Sequence, residues 1–124
     1  MEMRFYQCAL CGQIAAIVKK TGSPLVCCGQ PMKEMVPGTT DASQEKHVPV
    51  YSVSGTTVSV KIGAAEHPMT EAHYIEWVSL RTEKGNQRKA LAPGDAPFVT
   101  FAIEEGDAVK EVYAYCNLHG LWKA

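Results

Sequence analysis

The chain of 124 residues has no long hydrophobic run and no excess of charge of either sign. Its longest apolar stretches are far shorter than the roughly 20 residues that a membrane-spanning helix needs, so we expect no membrane partner. The formal net charge is −1, with acids and bases scattered along the chain, and nothing favours a nucleic-acid partner. The first residues, MEMRFYQCALCG, lack the basic start and apolar stretch of a secretory signal, and we expect a cytoplasmic protein.

Helical periodicity is also nearly absent, and the segment DASQEKH is the best candidate for a single helical turn. From about residue 48 onwards, short alternating segments are separated by turn signals. VPVYSV and TVSVKI flank SGT and predict a hairpin in which Val58, Val60 and Ile62 share one face. HYIEWVSLRT, QRKALAP, FVTFAIEE and KEVYAYC predict further strands, and Val112, Ala114 and Cys116 share a face. Six or seven strands at this spacing predict an antiparallel sandwich of immunoglobulin-like type.

The first 35 or so residues differ from the rest, because they are dense in cysteine and turn formers around a short predicted strand, QIAAIVKK. Such a knuckle is too small to have a core of its own, so metal coordination has to supply most of its stability. A linker with Pro37 and Gly38 follows. We therefore expect one small N-terminal domain, residues 1–37, and one larger domain, residues 38–124.

Five cysteines are present, an odd number. In a reducing compartment such a set indicates metal binding or catalysis more often than disulfides. Four of them form the pattern C-x2-C-x15-C-C, and these are Cys8, Cys11, Cys27 and Cys28. Four thiolates suit a tetrahedral site for zinc or for a single iron, and the adjacent second pair predicts a distorted tetrahedron. The spacing does not distinguish the two metals, and structural zinc is the commoner occupant of such sites.

The fifth cysteine, Cys116, stands apart from this set and precedes the last of the four histidines by three residues. The four histidines are His47, His67, His73 and His119. Each lies at the edge of a predicted strand or in the adjoining loop, where a sandwich gathers its loops. Taken singly, each is expected to be an ordinary surface or core histidine. Together, four imidazoles and one thiolate suit iron, copper or zinc and leave one position of an octahedral metal open.

Other metal enzymes fit this donor set less well. Blue-copper sites use two histidines and a weak axial methionine, and mononuclear iron oxygenases use two histidines and a carboxylate. A thiolate opposite an open position on iron would donate electron density towards a small ligand bound there. Whether the five residues converge is not determined by their spacing.

The segments YQCALCG, LVCCGQPM, EKHVPV, HPMTEAHYIEW and YCNLHGLWKA together resemble the desulfoferrodoxin family, the two-iron class of superoxide reductases. The resemblance covers essentially the whole chain in the same order and uses all five cysteines and all four histidines. It implies a desulforedoxin-like domain, with a rubredoxin-type knuckle, that holds an Fe(Cys)4 centre through Cys8, Cys11, Cys27 and Cys28. It also implies that the sandwich holds a second iron, with four equatorial histidines and Cys116 as the axial ligand.

The same resemblance assigns roles to two further residues and to partners. Glu45 matches a carboxylate that can occupy the sixth position in the oxidised state, and Lys46 matches a lysine beside the open position in the reduced state. The implied activity is the one-electron reduction of superoxide to hydrogen peroxide, with electrons from a small protein such as rubredoxin. Family members commonly form homodimers, and whether the first iron relays electrons is left open.

A hypothesis from another class is a non-enzymatic electron carrier or zinc-ribbon-type metal-binding protein fused to a sandwich. In that case His47, His67, His73 and His119 would not converge, and the four-cysteine site alone would hold metal. The arrangement of the histidines in space therefore distinguishes the two hypotheses.

Overall fold

A computed structural model describes residues 3–124 of the chain. The chain divides into two compact units between Val36 and Pro37, one residue before the boundary expected from the sequence. In the part of the chain that the structure describes, no helix is long and apolar enough to cross a membrane.

The N-terminal unit consists of short strands joined by turns. The strands are β1 Arg4–Gln7, β2 Ile14–Ile17, β3 Val26–Cys27, β4 Gln30–Pro31 and β5 Lys33–Glu34. The first, second and fifth form one antiparallel sheet in the order β2-β1-β5, and β3 pairs with β4. Among residues 3–36, only Phe5, Tyr6 and Cys8 are buried. So few buried side chains cannot stabilise a fold alone, which agrees with the expected dependence on metal.

The second unit is an antiparallel β-sandwich. One short helix, α1 Gln44–His47, precedes seven strands, which are β6 Pro49–Ser54, β7 Thr57–Ile62, β8 Ile75–Thr82, β9 Asn86–Ala90, β10 Phe98–Ala102, β11 Val109–Cys116 and β12 Gly120–Lys123. They form a three-stranded sheet, β10-β7-β6, and a four-stranded sheet, β12-β11-β8-β9. This division is typical of immunoglobulin-like sandwiches. The predicted fold class and the single helical turn are confirmed.

The core lies between the two sheets and follows the predicted alternation. Val58, Val60 and Ile62 of β7 are all 0% exposed and contribute to one cluster. Ala114 and Cys116 of β11 enter the same cluster from the other sheet. Strand β12 was not predicted, because a strand of four residues directly after the His119 turn is too short to show an alternating pattern.

The antiparallel topology gathers several loops at one end of the sandwich. Pro49 at the start of β6 pairs with Ile62 at the end of β7. Cys116 at the end of β11 pairs with Ile75 at the start of β8 and with Gly120 at the start of β12. Therefore α1, the β7–β8 loop and the β11–β12 turn all lie at this end, which we call the site end. These three segments carry all four histidines.

Candidate metal centres

The four N-terminal cysteines converge in the first unit. Their Sγ atoms lie within 4.8 Å of one another. The Sγ atom of Cys27 lies 3.6 Å from that of Cys11 and 3.9 Å from that of Cys28. All of these cysteines are free thiols, and the separations are far longer than the roughly 2.0 Å of a disulfide bond.

The four-cysteine cluster has the dimensions of a tetrahedral metal site. With a metal–sulfur distance of about 2.3 Å, the edge of a tetrahedron of thiolates is about 3.8 Å. The observed separations of 3.6 and 3.9 Å lie on either side of that value. The donor set and its spacing therefore fit a single tetrahedral ion, as the sequence predicted.

Backbone groups of the two turns support the cluster. The N–H of Cys11 donates to Sγ of Cys8 at 3.5 Å, and this bond is the largest of several effects that together lower the pKa of Cys8 to about 6. Cys28 has a φ of +53°, a conformation uncommon for a residue other than glycine, and Gly29 follows with a φ of +75°. This turn lets adjacent cysteines direct both thiols to one point. Cys8 is buried, whereas Cys11 and Cys28 are exposed.

The four histidine rings of the second unit form a closed cycle at the site end. Going round the cycle, the ring centroids of neighbours are 4.6 to 4.9 Å apart: His47 with His67, His67 with His73, His73 with His119, and His119 with His47. Neighbouring rings are steeply inclined, at 78° to 89°. His47 and His73 lie across the cycle, with centroids 6.2 Å apart and planes at 29°. The imidazoles therefore stand at the corners of a square.

Hydrogen bonds show which ring nitrogens face inward. Nδ1 of His47 donates to the carbonyl of Ser43 at 2.6 Å, and Nδ1 of His67 donates to the carbonyl of Pro68 at 2.7 Å. A neutral imidazole that donates from one nitrogen has a lone pair on the other. The Nε2 atoms of His47 and His67 are thus both acceptors, yet they face each other at 3.1 Å. Nε2 of His73 is buried without any partner.

The contact between the lone pairs of His47 and His67 and the unpartnered Nε2 of His73 are energetically unfavourable unless a cation lies between these nitrogens. A metal–nitrogen distance of about 2.1 Å places adjacent corners of a square about 3.0 Å apart. His47 Nε2 is 3.1 Å from both His67 Nε2 and His119 Nδ1. The nitrogen set therefore fits one metal ion at the centre of the square.

Cys116 completes the cluster from the interior side. Its side chain is 0% exposed, and its Sγ lies with the donors of His47, His67 and His73 within 4.8 Å. Its distance to Nδ1 of His119 is 3.8 Å. All five residues selected in the sequence are thus brought together. The alternative in which the histidines do not converge disagrees with this geometry.

Burial sets the protonation of the metal-free site. It lowers the pKa of His67 to about 4 and lowers that of His47 as well, so both imidazoles are neutral at neutral pH. Burial also raises the pKa of the Cys116 thiol. Metal binding must therefore displace a proton from this thiol.

Comparison with known proteins identifies the family. The family model described as desulfoferrodoxin matches residues 39–124, and the model of the desulfoferrodoxin N-terminal domain matches residues 1–35. The chain belongs to the desulfoferrodoxin family.

Similar proteins match nearly the whole length of this chain. A desulfoferrodoxin homolog of Archaeoglobus fulgidus is 48% identical over 98% of this chain and 96% of its own length. The desulfoferrodoxin of Nitratidesulfovibrio vulgaris is 44% identical over 99% of this chain and 96% of its own length. The crystal structure of the superoxide reductase from Treponema pallidum is 43% identical, with a TM-score of 0.85, and covers 100% of this chain and 99% of that one.

The two charged residues assigned by the desulfoferrodoxin resemblance lie on α1. Glu45 and Lys46 are exposed, next to buried His47. After burial and the charge of His119, the charge of Lys46 is a further factor that lowers the pKa of His73, which lies across the square from His47. Both side chains therefore lie at the surface of the helical turn that carries His47.

Three residues that the sequence pattern does not indicate shape this site. Trp122 stacks on the His47 ring at 4.9 Å and donates its indole N–H to the carbonyl of His119. Gly63 lies against the backbone of α1, and Asn117 binds the loop that carries His73. Trp122 and Asn117 lie in YCNLHGLW, beside His119, but proximity in sequence alone did not indicate their contacts.

Proposed function

We infer that the chain is a superoxide reductase, which converts superoxide to hydrogen peroxide with one electron and two protons. The observation that carries this conclusion is the square of four imidazoles closed on its interior side by Cys116, in a chain of the desulfoferrodoxin family. Iron, when bound, supplies the single electron that superoxide takes up. The four cysteines of the first unit would hold a second iron.

We propose a division of roles among the chain's own residues. Nε2 of His47, His67 and His73, with Nδ1 of His119, provide the four nitrogen donors, and Cys116 provides the thiolate. Five donors would leave one position of an octahedral ion for the substrate. The thiolate of Cys116 would donate electron density to the bound iron, which would favour release of the reduced product.

Lys46 is proposed to attract the superoxide anion and to order the water that delivers the two protons. Its side chain is exposed on the helical turn that carries His47, so its ammonium is open to solvent and to an approaching anion. Glu45 is proposed to approach the open position when the centre is oxidised. Both roles follow from the family resemblance together with their position on α1 beside His47.

We also propose a rubredoxin-type protein as the electron donor, a homodimer as the assembly, and the cytoplasm as the location. Each turnover leaves the centre oxidised, and one electron must reduce it again. The other iron site could store only one electron, so repeated turnover requires an external one-electron donor.

Metal analysis tests the proposed function directly. The purified protein is expected to contain two irons per chain, and oxidation is expected to bring up a thiolate-to-iron charge-transfer band distinct from the absorption of the four-cysteine site. Absorption and electron paramagnetic resonance spectra, before and after oxidation, check both. One zinc per chain without a second metal would instead support the non-enzymatic metal-binding protein.

Removal of the Lys46 charge is expected to slow the capture of superoxide. Lys46→Ala should lower the second-order rate constant about ten-fold at low ionic strength and flatten its salt dependence, because local positive charge accelerates anion association. Pulse radiolysis at several salt concentrations measures both. Lys46→Arg should keep the rate near that of the unchanged protein.

The neighbouring carboxylate provides the matched control. Glu45→Ala removes a charge of opposite sign from the same helical turn. It is expected to leave superoxide reduction largely intact and to change the spectrum of the oxidised centre. An unchanged rate in Lys46→Ala would exclude the steering role, and an unchanged spectrum in Glu45→Ala would exclude the ligand role.

A further inference from the structure

The ring of His73 is held differently from those of His47 and His67. The latter two each donate a short hydrogen bond from Nδ1 to a main-chain carbonyl, of Ser43 and of Pro68. Within residues 3–124, no ring–carbonyl hydrogen bond of this kind is found for His73, and its Nε2 has no partner. The direction of this ring therefore depends on the position of its backbone.

That backbone forms a tight turn, and Asn117 binds the residues before and after His73. Thr70 and His73 exchange two main-chain hydrogen bonds, of 2.9 and 3.1 Å. On either side of His73, Oδ1 of Asn117 accepts the N–H of Tyr74 at 3.0 Å, and Nδ2 of Asn117 donates to the carbonyl of Ala72 at 3.0 Å. The N–H of Asn117 also donates to the carbonyl of Tyr74 at 3.2 Å.

Asn117 makes these contacts where the sheet pairing becomes irregular. Tyr115 pairs with Trp77, but the next residue, Cys116, pairs with Ile75, so the register shifts by one residue. Beyond this bulge the paired residues of β11 and β8 end at Cys116 and Ile75, and a single main-chain hydrogen bond, from Asn117 to Tyr74, follows. The side-chain amide of Asn117 adds a donor and an acceptor to this connection.

The position of Asn117 in the chain gives these bonds a consequence for the site. It lies between Cys116 and His119 and binds the loop of His73, so one side chain connects donors from two separate segments. We propose that Asn117 is a positioning residue for the second metal centre, which fixes His73 relative to Cys116 and His119. This inference rests on the proposed ligand set of the superoxide reductase site.

The test compares Asn117→Ala with Asn86→Ala, which changes the other asparagine of the chain at an exposed position of β9. The iron affinity of the second centre is measured by titration with a competing iron chelator, and the thiolate charge-transfer band reports the iron that stays bound. Asn117→Ala is expected to weaken that affinity about 10- to 100-fold, the usual effect of losing a group that orients a ligand. Asn86→Ala should leave it unchanged, and the absorption of the four-cysteine centre serves as an internal standard in every sample.

A second variant separates positioning from folding. Asn117→Asp keeps an acceptor for the N–H of Tyr74 but loses the donor to the carbonyl of Ala72, and an intermediate iron affinity is expected. In metal-free protein, the amide of Tyr74 should exchange with solvent faster in Asn117→Ala, while core amides of β7 stay protected.

Two outcomes would overturn the inference. One is an iron affinity within about two-fold of the unchanged protein, well short of the loss expected for an orienting group. The other is a loss of iron affinity together with faster amide exchange throughout the sandwich, with core amides of β7 affected as much as the amide of Tyr74. A failure of the proposed function has another signature, since the unchanged protein would then bind no iron at the second centre.

Discussion

Cys116→Ser is expected to abolish the charge-transfer band of the oxidised second centre and to slow superoxide reduction at least about 100-fold. Loss of a group that merely orients a ligand costs about 10- to 100-fold, and loss of a proposed ligand should reach or exceed the upper end of that range. A serine hydroxyl is a much harder and weaker donor than a thiolate, so it would donate less electron density to the bound iron. Absorption spectra of the oxidised protein and pulse-radiolysis rates measure the two effects.

The fold should survive this change. Cys116 is 0% exposed in the core, but serine has nearly the same volume and Sγ lies at the polar site end. Cys11→Ser provides the control, because it changes a cysteine of the first unit, where Cys11 is exposed. It should alter the absorption of the four-cysteine centre and leave the band of the second centre in place. If Cys116→Ser kept the band, the thiolate would have to come from another residue.

Gly63→Ala is expected to destabilise the sandwich and to impair the second centre although Gly63 carries no side chain. A Cβ at this buried residue would overlap the carbonyl oxygen of Glu45 and would lie 2.5 Å from the carbonyl carbon of Lys46. Both atoms belong to the backbone of α1, which cannot rotate away as a long side chain can. The N–H of Ala65, two residues on, donates to the same Glu45 oxygen at 3.0 Å and fixes α1 against this loop.

The helix must therefore shift, and with it Glu45, Lys46 and His47. Overpacking of this kind costs about 1 to 3 kcal/mol of folding free energy. A misplacement of about 1 Å at a reacting centre costs on the order of 100-fold in rate, and we expect a loss of that order in superoxide reduction. Denaturant unfolding of the metal-free protein and pulse radiolysis of the loaded protein measure the two quantities.

Gly85→Ala is the matched control. Gly85 lies in the turn between β8 and β9, its φ is not positive, and a Cβ there would meet nothing within 4 Å. Stability and rate should both remain close to those of the unchanged protein. If Gly63→Ala behaved in the same way, the close contact between Gly63 and α1 would not constrain the site.

The strands of the sandwich, apart from β12, were predictable because each carries a local pattern, whereas of the five short strands in the first unit only β2 was predicted. The alternation of Val58, Val60 and Ile62 requires only that one face of β7 be apolar, and a strand has a period of two residues. The single turn of helix in DASQEKH and the antiparallel sandwich could also be predicted, because both depend on local sequence patterns. Strand β12 was not predicted, because its four residues, Gly120–Lys123, are too few to show an alternating pattern.

The four-cysteine cluster was also predictable, since all of its donors lie within a short stretch and metal-binding spacing is a local property. The second centre was different. His47, His67, His73 and Cys116 come from distant parts of the chain, and no spacing between them indicates contact. Their selection rested on residue type and on resemblance to a family.

The sequence by itself determined which residues are available for chemistry: nine metal donors, two charged neighbours, an antiparallel sandwich and a small unit without a core of its own. Only the tertiary structure decided how they meet. The topology places the ends of β7 and β11 beside the starts of β6, β8 and β12, and thereby closes four rings into a square. The contacts of Gly63, Asn117 and Trp122 were decided there as well. Such contacts depend on distances between segments far apart in the chain, which packing sets and local sequence patterns do not record.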